Sequence, residues 1–324
     1  MFVFGRIFTG DEIGAILYNV ESFSEFMRLC GVEMKQRHRD GTEVQKNIGY
    51  EGYLGGMYGR MTGRMVLKML TKPCVSKCAG WALSTHASRV LVKPFVRRTG
   101  IDLTEYEEDR FRSYNEFFSR KIRADARPIQ GDAAHLISPC DSQLMVFPIT
   151  EDGVFTVKNT PYTLAGLLRD RKKAAEYYGG QIFVFRLGVD DYHRYCYVAD
   201  GIKSENVFIP GVLHTVSPAV YDRFPVYKEN SREYCTIHTR EFGEMLMMEV
   251  GALLVGKIVN HPVERQVRRG MEKGYFQFGG STVILLVKEG RVIVDADILE
   301  NSRQSCETIV KYGEIIGVAA EHAE

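Results

Sequence analysis

Apolar positions along this chain follow two textures, with a change near residue 113. Before it, apolar residues are mixed with basic ones. Arg60, Arg64, Lys68 and Lys72 recur every four residues, so a helix would set them along one face, with Met, Leu and Trp side chains on another. After it come short strand-like runs broken by Gly, Pro and Asp: Gln181–Leu187, Met245–Val250 running on through Ala252–Val259, and Thr282–Val287. Lys288-Glu289-Gly290 and then Arg291–Val294 follow the last run, which predicts a β-hairpin. Helical spacing returns only over Leu164–Tyr178. The pattern predicts an α+β fold, in which a basic amphipathic helical region over 51–112 precedes a β-rich domain of sandwich or open-barrel type over 113–324. Residues 1–50 are expected to be poorly ordered or an extension, with Met34 an equally good natural start.

Composition narrows the function classes. The 324 residues are 45% hydrophobic and 26% charged, as in ordinary globular proteins, and the net charge of +1 gives no global field for nucleic acid. The distribution of charge says more. Gly52 to Ile101 holds no acidic residue but carries Arg60, Arg64, Lys68, Lys72, Lys77, Arg89, Lys93, Arg97 and Arg98. Basic and apolar faces together describe a helix lying in an anionic phospholipid membrane, each basic residue contributing about 1 kcal/mol there. They describe equally an amphipathic helix packed on its own domain. The aromatics of this stretch lack a spacing suited to stacking bases, so no nucleic acid is expected.

No run reaches the roughly 18 apolar residues of a spanning helix. Arg6, Asp11 and Glu12 interrupt the N-terminus too early for a signal peptide. Seven cysteines without a regular framework fit a reducing compartment, and Cys74 and Cys78 read as helical thiols rather than a redox pair. The expectation is a peripheral protein at the cytoplasmic face of the cell membrane.

The strongest chemical signal is Phe278-Gly279-Gly280-Ser281-Thr282 leading into a strand. Two glycines let the backbone bend tightly and leave the Gly280 carbonyl open. The Ser281 hydroxyl can attack that carbonyl and exchange the amide for an ester. β-Elimination then cuts the chain and leaves dehydroalanine, which hydrolyses to a pyruvoyl group. Alone, the segment also reads as a glycine-rich turn. His193 and Cys196 have H-x-x-C spacing, with His238 and His261 further on, but no second close ligand pair joins them, so no metal is expected.

Several segments carry a family resemblance in order: Ser113–Pro128 (SYNEFFSRKIRADARP), Ser138-Pro139-Cys140-Asp141, Asp191-Tyr192-His193-Arg194, Asn230–Tyr234, Glu241-Phe242-Gly243, Met248–Gly256 and Glu272–Leu286 (EKGYFQFGGSTVILL). Over about residues 55–315 the chain resembles the phosphatidylserine decarboxylases, pyruvoyl-dependent proenzymes that process themselves. The resemblance implies that Ser281 is the pyruvoyl precursor and that fragments 1–280 and 281–324 stay together. It makes Asp141 the acid of the processing relay and His193 the proton-transfer residue of decarboxylation. Thr282 would follow the new group. The expected reaction releases CO2 from phosphatidylserine through a Schiff base and yields phosphatidylethanolamine; a homodimer is left open.

The family's motif usually carries a second histidine where this chain has Cys196. A thiol is a weak base unless deprotonated. His214, in Gly211–Val216 (GVLHTV), is the replacement that the sequence offers, linking Asp141 to Ser281; otherwise His193 serves both steps. Two other readings stand beside this one: a pyruvoyl decarboxylase of a soluble amino acid, and a catalytically dead membrane-binding relative.

Overall fold

Three apolar runs form the middle of the molecule because each can be buried on both faces. The computed structural model describes residues 35–44, 80–157, 160–211, 229–251, 257–262, 265–277 and 281–322, and its centre is a sheet of eleven strands. Six of them position the site: β1 (Ser142–Pro148), β2 (Gln181–Leu187), β3 (Arg232–His238), β4 (Glu244–Val250), β5 (Ser281–Val287) and β6 (Glu307–Val310). They pair antiparallel in the order β3-β4-β5-β2-β1-β6. Gln36–Arg37 adds to β6 in parallel, and short strands Gly201–Lys203 and Val207–Ile209 attach to β3.

Alternation along each strand builds two cores. On β5, Val283, Leu285 and Val287 enter one core while Ile284 and Leu286 enter the other. Met245 and Met247 of β4 follow the first set, and Leu246, Met248 and Val250 the second. Such double burial makes a strand read as a continuous apolar run, each large side chain contributing about 1.5–3 kcal/mol.

The first core is closed by two three-stranded sheets and a helix. One sheet holds Arg194–Cys196, Ile258–Asn260 and Glu272–Phe276; the other holds His135–Ile137, Val292–Val294 and Ile315–Ala319; the helix is Ala296–Arg303. The second core is closed by the hairpin Val154–Val157 with Thr160–Thr163 and by two short helices. Val92 of α1 (Val92–Thr99) packs with Phe111, Tyr114, Phe117 and Phe118 around α2 (Tyr114–Phe118) in a third cluster. The fold is α+β and rich in sheet, and among the described residues the sheets do not close into a barrel.

Three expectations need correcting. The turn after β5 exists, with Gly290 at φ 65, but Val292–Val294 pairs with Ile315–Ala319 and forms no hairpin with β5. Helix is not confined to 164–178 after residue 113: that stretch holds Leu164–Leu168 and Arg171–Ala175, but Tyr114–Phe118 and Ala296–Arg303 are helical too. Arg169 turns left-handed at φ 51, and the Asp170 carboxylate caps Arg171–Ala175 by accepting from the amides of Lys172 and Lys173. Ile258–Asn260 does not prolong β4 but lies against Glu272–Phe276 in a separate sheet.

Of the basic region, Arg60 to Lys72 and Cys74 and Cys78 lie outside the described residues. From residue 80 onward the chain is helical: a 3-10 turn at His86–Leu91 runs into α1, which ends at Gly100 in the left-handed region, φ 71. Trp81, Val90 and Leu91 stand exposed beside Arg89, Lys93, Arg97 and Arg98. Among the described residues no helix is long and apolar enough to cross a membrane.

Candidate active site

Register brings the motif residues to one end of the large sheet. Ser281, the first residue of β5, pairs with Leu187, the last of β2. Gly188 to His193 continue from that point. Asp141 immediately precedes β1, which flanks β2 on its other side through the pairing of Gln143 with Arg186. The Cys196 amide donates to the Pro139 carbonyl at 2.9 Å, joining the segments that contain Asp141 and His193.

His193 is fully buried. Its Nδ1 lies 2.9 Å from the Asp191 carbonyl, which can only accept, so Nδ1 carries the proton and Nε2 holds a lone pair. Nε2 has no hydrogen-bond partner among the described residues. Burial, and then the charge of Arg120, lower its pKa to about 3, so the ring is neutral near pH 7. Phe118 of α2 lies against the imidazole, centroids 3.9 Å apart. The loop around it is tied on several sides. The Asp191 carboxylate accepts from Gln143 Nε2 and the Gly188 amide, Arg194 Nε donates to the Ser119 carbonyl, and the His193 carbonyl accepts from the Phe276 amide. These contacts give the 113–120 segment a role: it walls the histidine.

Ser281 Oγ is buried and has no partner among the described residues. Thr282 Oγ1 is likewise buried and unpartnered there, and points to the opposite face of β5. Asp141 is buried and gripped by Arg127, whose Nη2 donates to Oδ2 at 2.9 Å and Nε to Oδ1 at 3.1 Å. The Tyr312 amide donates to Oδ1 at 2.7 Å. The relay expected of Asp141 therefore has no histidine at its carboxylate among the described residues. His214 and Gly280 lie outside them. Cys196 sits in the first core, where burial pushes its thiol up to about 12, so it keeps its proton near neutrality and is a poor base.

Sequence reasoning missed a buried polar cluster on the face of β4 next to β5. Lys273 Nζ donates to Glu249 Oε2 at 2.6 Å, with both side chains almost wholly enclosed. Asn260 ties them together: its Oδ1 accepts from Lys273 and from Tyr195 Oη, each at 3.1 Å, and its Nδ2 donates to Glu249 Oε2 at 3.1 Å and to Glu233 Oε1 at 2.9 Å. Glu249 Oε1 has no partner among the described residues. Burial raises the Glu249 carboxyl above its ordinary value, against the pull of Lys273 and Asn260. Asn260 also lines a surface cavity of about 390 Å³ with Lys203, Lys257 and His261. The signal in the sequence was Glu249 near the end of the apolar stretch of EMLMMEV and Lys273 within EKGYF.

A buried serine that opens a strand, a neutral buried histidine and a clamped aspartate stand at this end of the large sheet. Comparison with known proteins gives the class. Residues 114–318 match the sequence profile described as phosphatidylserine decarboxylase. The phosphatidylserine decarboxylase proenzyme 2 of Clostridium acetobutylicum is 48% identical over 226 residues, covering 70% of this chain and 77% of that protein. A phosphatidylserine decarboxylase proenzyme of Clostridium novyi is 39% identical over 75% of this chain and 84% of its own, and one of Chlamydia caviae 36% over 76% and 84%. This chain belongs to the phosphatidylserine decarboxylase family.

Proposed function

We propose that the chain cuts itself between Gly280 and Ser281, carries a pyruvoyl group where Ser281 stood, and converts phosphatidylserine to phosphatidylethanolamine and CO2. The observation that carries this reading is a pair of buried atoms at one sheet end, Ser281 Oγ and His193 Nε2, each unpartnered among the described residues. Residues 1–280 and 281–324 would remain one protein. The site suits such a group, because Ser281 is sealed from water and fixed by its pairing with Leu187. Once formed, the group supplies an electrophilic carbonyl that draws electrons from the substrate Cα as CO2 leaves.

His193 does the proton work in this reading. Its Nε2 relays a proton to Cα after CO2 departs, the ring being neutral before and after the step. The Asp191 carbonyl holds the tautomer, and Phe118 holds the plane of the ring. Asp141, clamped by Arg127 and the Tyr312 amide, anchors the turn that leads into β1.

The substrate's acyl chains remain in the bilayer at about 0.8 kcal/mol per CH2. The activity therefore belongs at a lipid surface, which we assign to the cytoplasmic face of an anionic membrane. Exposed Trp81, Val90 and Leu91 beside four basic residues support docking there.

Intact mass and a denaturing gel test the reading. Wild type is expected as two fragments, the smaller one blocked ahead of Thr282, while S281A stays whole and inactive on phosphatidylserine vesicles. A wild-type chain that stays whole would overturn it. Activity on free amino acids instead of vesicles would move the substrate to the soluble class.

A further inference from the structure

Self-cleavage requires a group to take the Ser281 Oγ proton. Asp141 is occupied by Arg127, Cys196 keeps its own proton, and His214, which the sequence offers, lies outside the described residues. The sheet itself supplies another candidate. Glu249 pairs with Val283 and Val250 with Thr282, which sets Glu249 one diagonal step from Ser281. The two share a face: Ser281 is in phase with Val283, Leu285 and Val287, and Glu249 with Met245 and Met247, all five lining the first core. Diagonal neighbours have Cα atoms about 7–8 Å apart and Cβ atoms closer, within the span of a glutamate side chain.

Both functional ends lack a partner among the described residues, and they are not hydrogen-bonded to each other at rest. Ser281 has a buried hydroxyl, and Glu249 a buried carboxylate oxygen, Oε1, each without a partner among the described residues. The other oxygen, Oε2, holds both Lys273 and Asn260, which fixes the carboxylate and leaves Oε1 available. A buried carboxylate with an open lone pair is expensive to keep, and self-cleavage gives it a use.

We propose that Glu249 accepts the Oγ proton of Ser281 during self-cleavage, with Lys273 and Asn260 holding it in place. The inference rests on the self-cleavage reading above. Atoms balance within the chain. The Oγ–H bond breaks and the proton passes to Glu249 Oε1 as Oγ bonds to the Gly280 carbonyl carbon. The bond from that carbon to the Ser281 nitrogen then breaks, and the nitrogen takes the proton back from Glu249. Amide has become ester, and the carboxylate is restored. The cavity that reaches Asn260 connects this cluster with solvent.

Full-length protein provides the test, read as the rate at which the two fragments form. S281A and wild type come first: if wild type stays whole, the self-cleavage reading fails and this inference falls with it. With wild type cut and S281A whole, E249Q and E249A are expected to cut about a hundredfold more slowly or worse. Formate added to E249A is expected to restore cutting by supplying the missing carboxylate. E249Q/K273M removes both buried charges and is expected to remain folded by thermal unfolding and to stay whole. Two outcomes would overturn the inference: E249Q or the double variant cutting at the wild-type rate, or a folded E249A that formate does not rescue.

Discussion

Protonating His193 at Nε2 would bury a charge beside Arg120, and that sets a pH dependence of stability. Burial, then the Arg120 charge, lower its pKa from the ordinary 6.5 to about 3. Below about pH 6.5 the unfolded chain binds a proton that the native state refuses until about pH 3. Stability from this group is thus complete above 6.5 and falls as pH drops through that window, by several kcal/mol at full extent on the order of 1.4 per unit. Urea midpoints at pH 7 and pH 4.5 should show wild type losing more stability than H193Q over the same interval. Equal losses would mean that the ring is not held neutral.

At the scale of elements, Arg186 of β2 crosses behind β1 to Glu307 of β6. Its Nε donates to Oε1 at 2.7 Å and its Nη2 to Oε2 at 2.6 Å, with Gln36 Nε2 adding a third donor at 3.3 Å. R186M would strand a buried carboxylate and should cost about 3–5 kcal/mol in urea unfolding, whereas R186M/E307L should recover most of the loss. A loss in R186M below about 1 kcal/mol would contradict this pairing. Such pairs explain what the sequence could and could not reveal. The strands 181–187, 245–250 and 282–287 were legible, because double burial leaves an unbroken apolar run. The partner of Arg186 was not, since Glu307 lies 121 residues away and no local spacing joins them. Lys273 and Glu249 were hidden for the same reason. The hairpin after β5 was misread because the turn chemistry was right but a distant strand, Ile315–Ala319, took the pairing. Ser281 was visible in the Gly-Gly-Ser-Thr segment itself, whereas the role of His193 was visible only as a family motif. That Phe118 and Asp191 fix the ring, and that Arg127 holds Asp141, required the fold.

For the whole molecule, Trp81 is a built-in reporter, being the chain's single tryptophan and 74% exposed in a basic, apolar surface. Vesicles with anionic lipid should shift its emission to the blue, neutral vesicles should do so less, and about 1 M salt, where the screening length is about 3 Å, should weaken the shift. An unchanged spectrum with anionic vesicles would remove this region from membrane docking. The position of Ser281 has one more consequence. Residues 281–322 supply the central strand β5, the strand β6 beside β1, and side chains in both cores. A nick ahead of residue 281 would therefore release nothing, and the halves would stay interlocked under native conditions. Once denatured, they would have to find each other again by diffusion, so recovery would follow second-order kinetics and depend on dilution, unlike the uncut precursor.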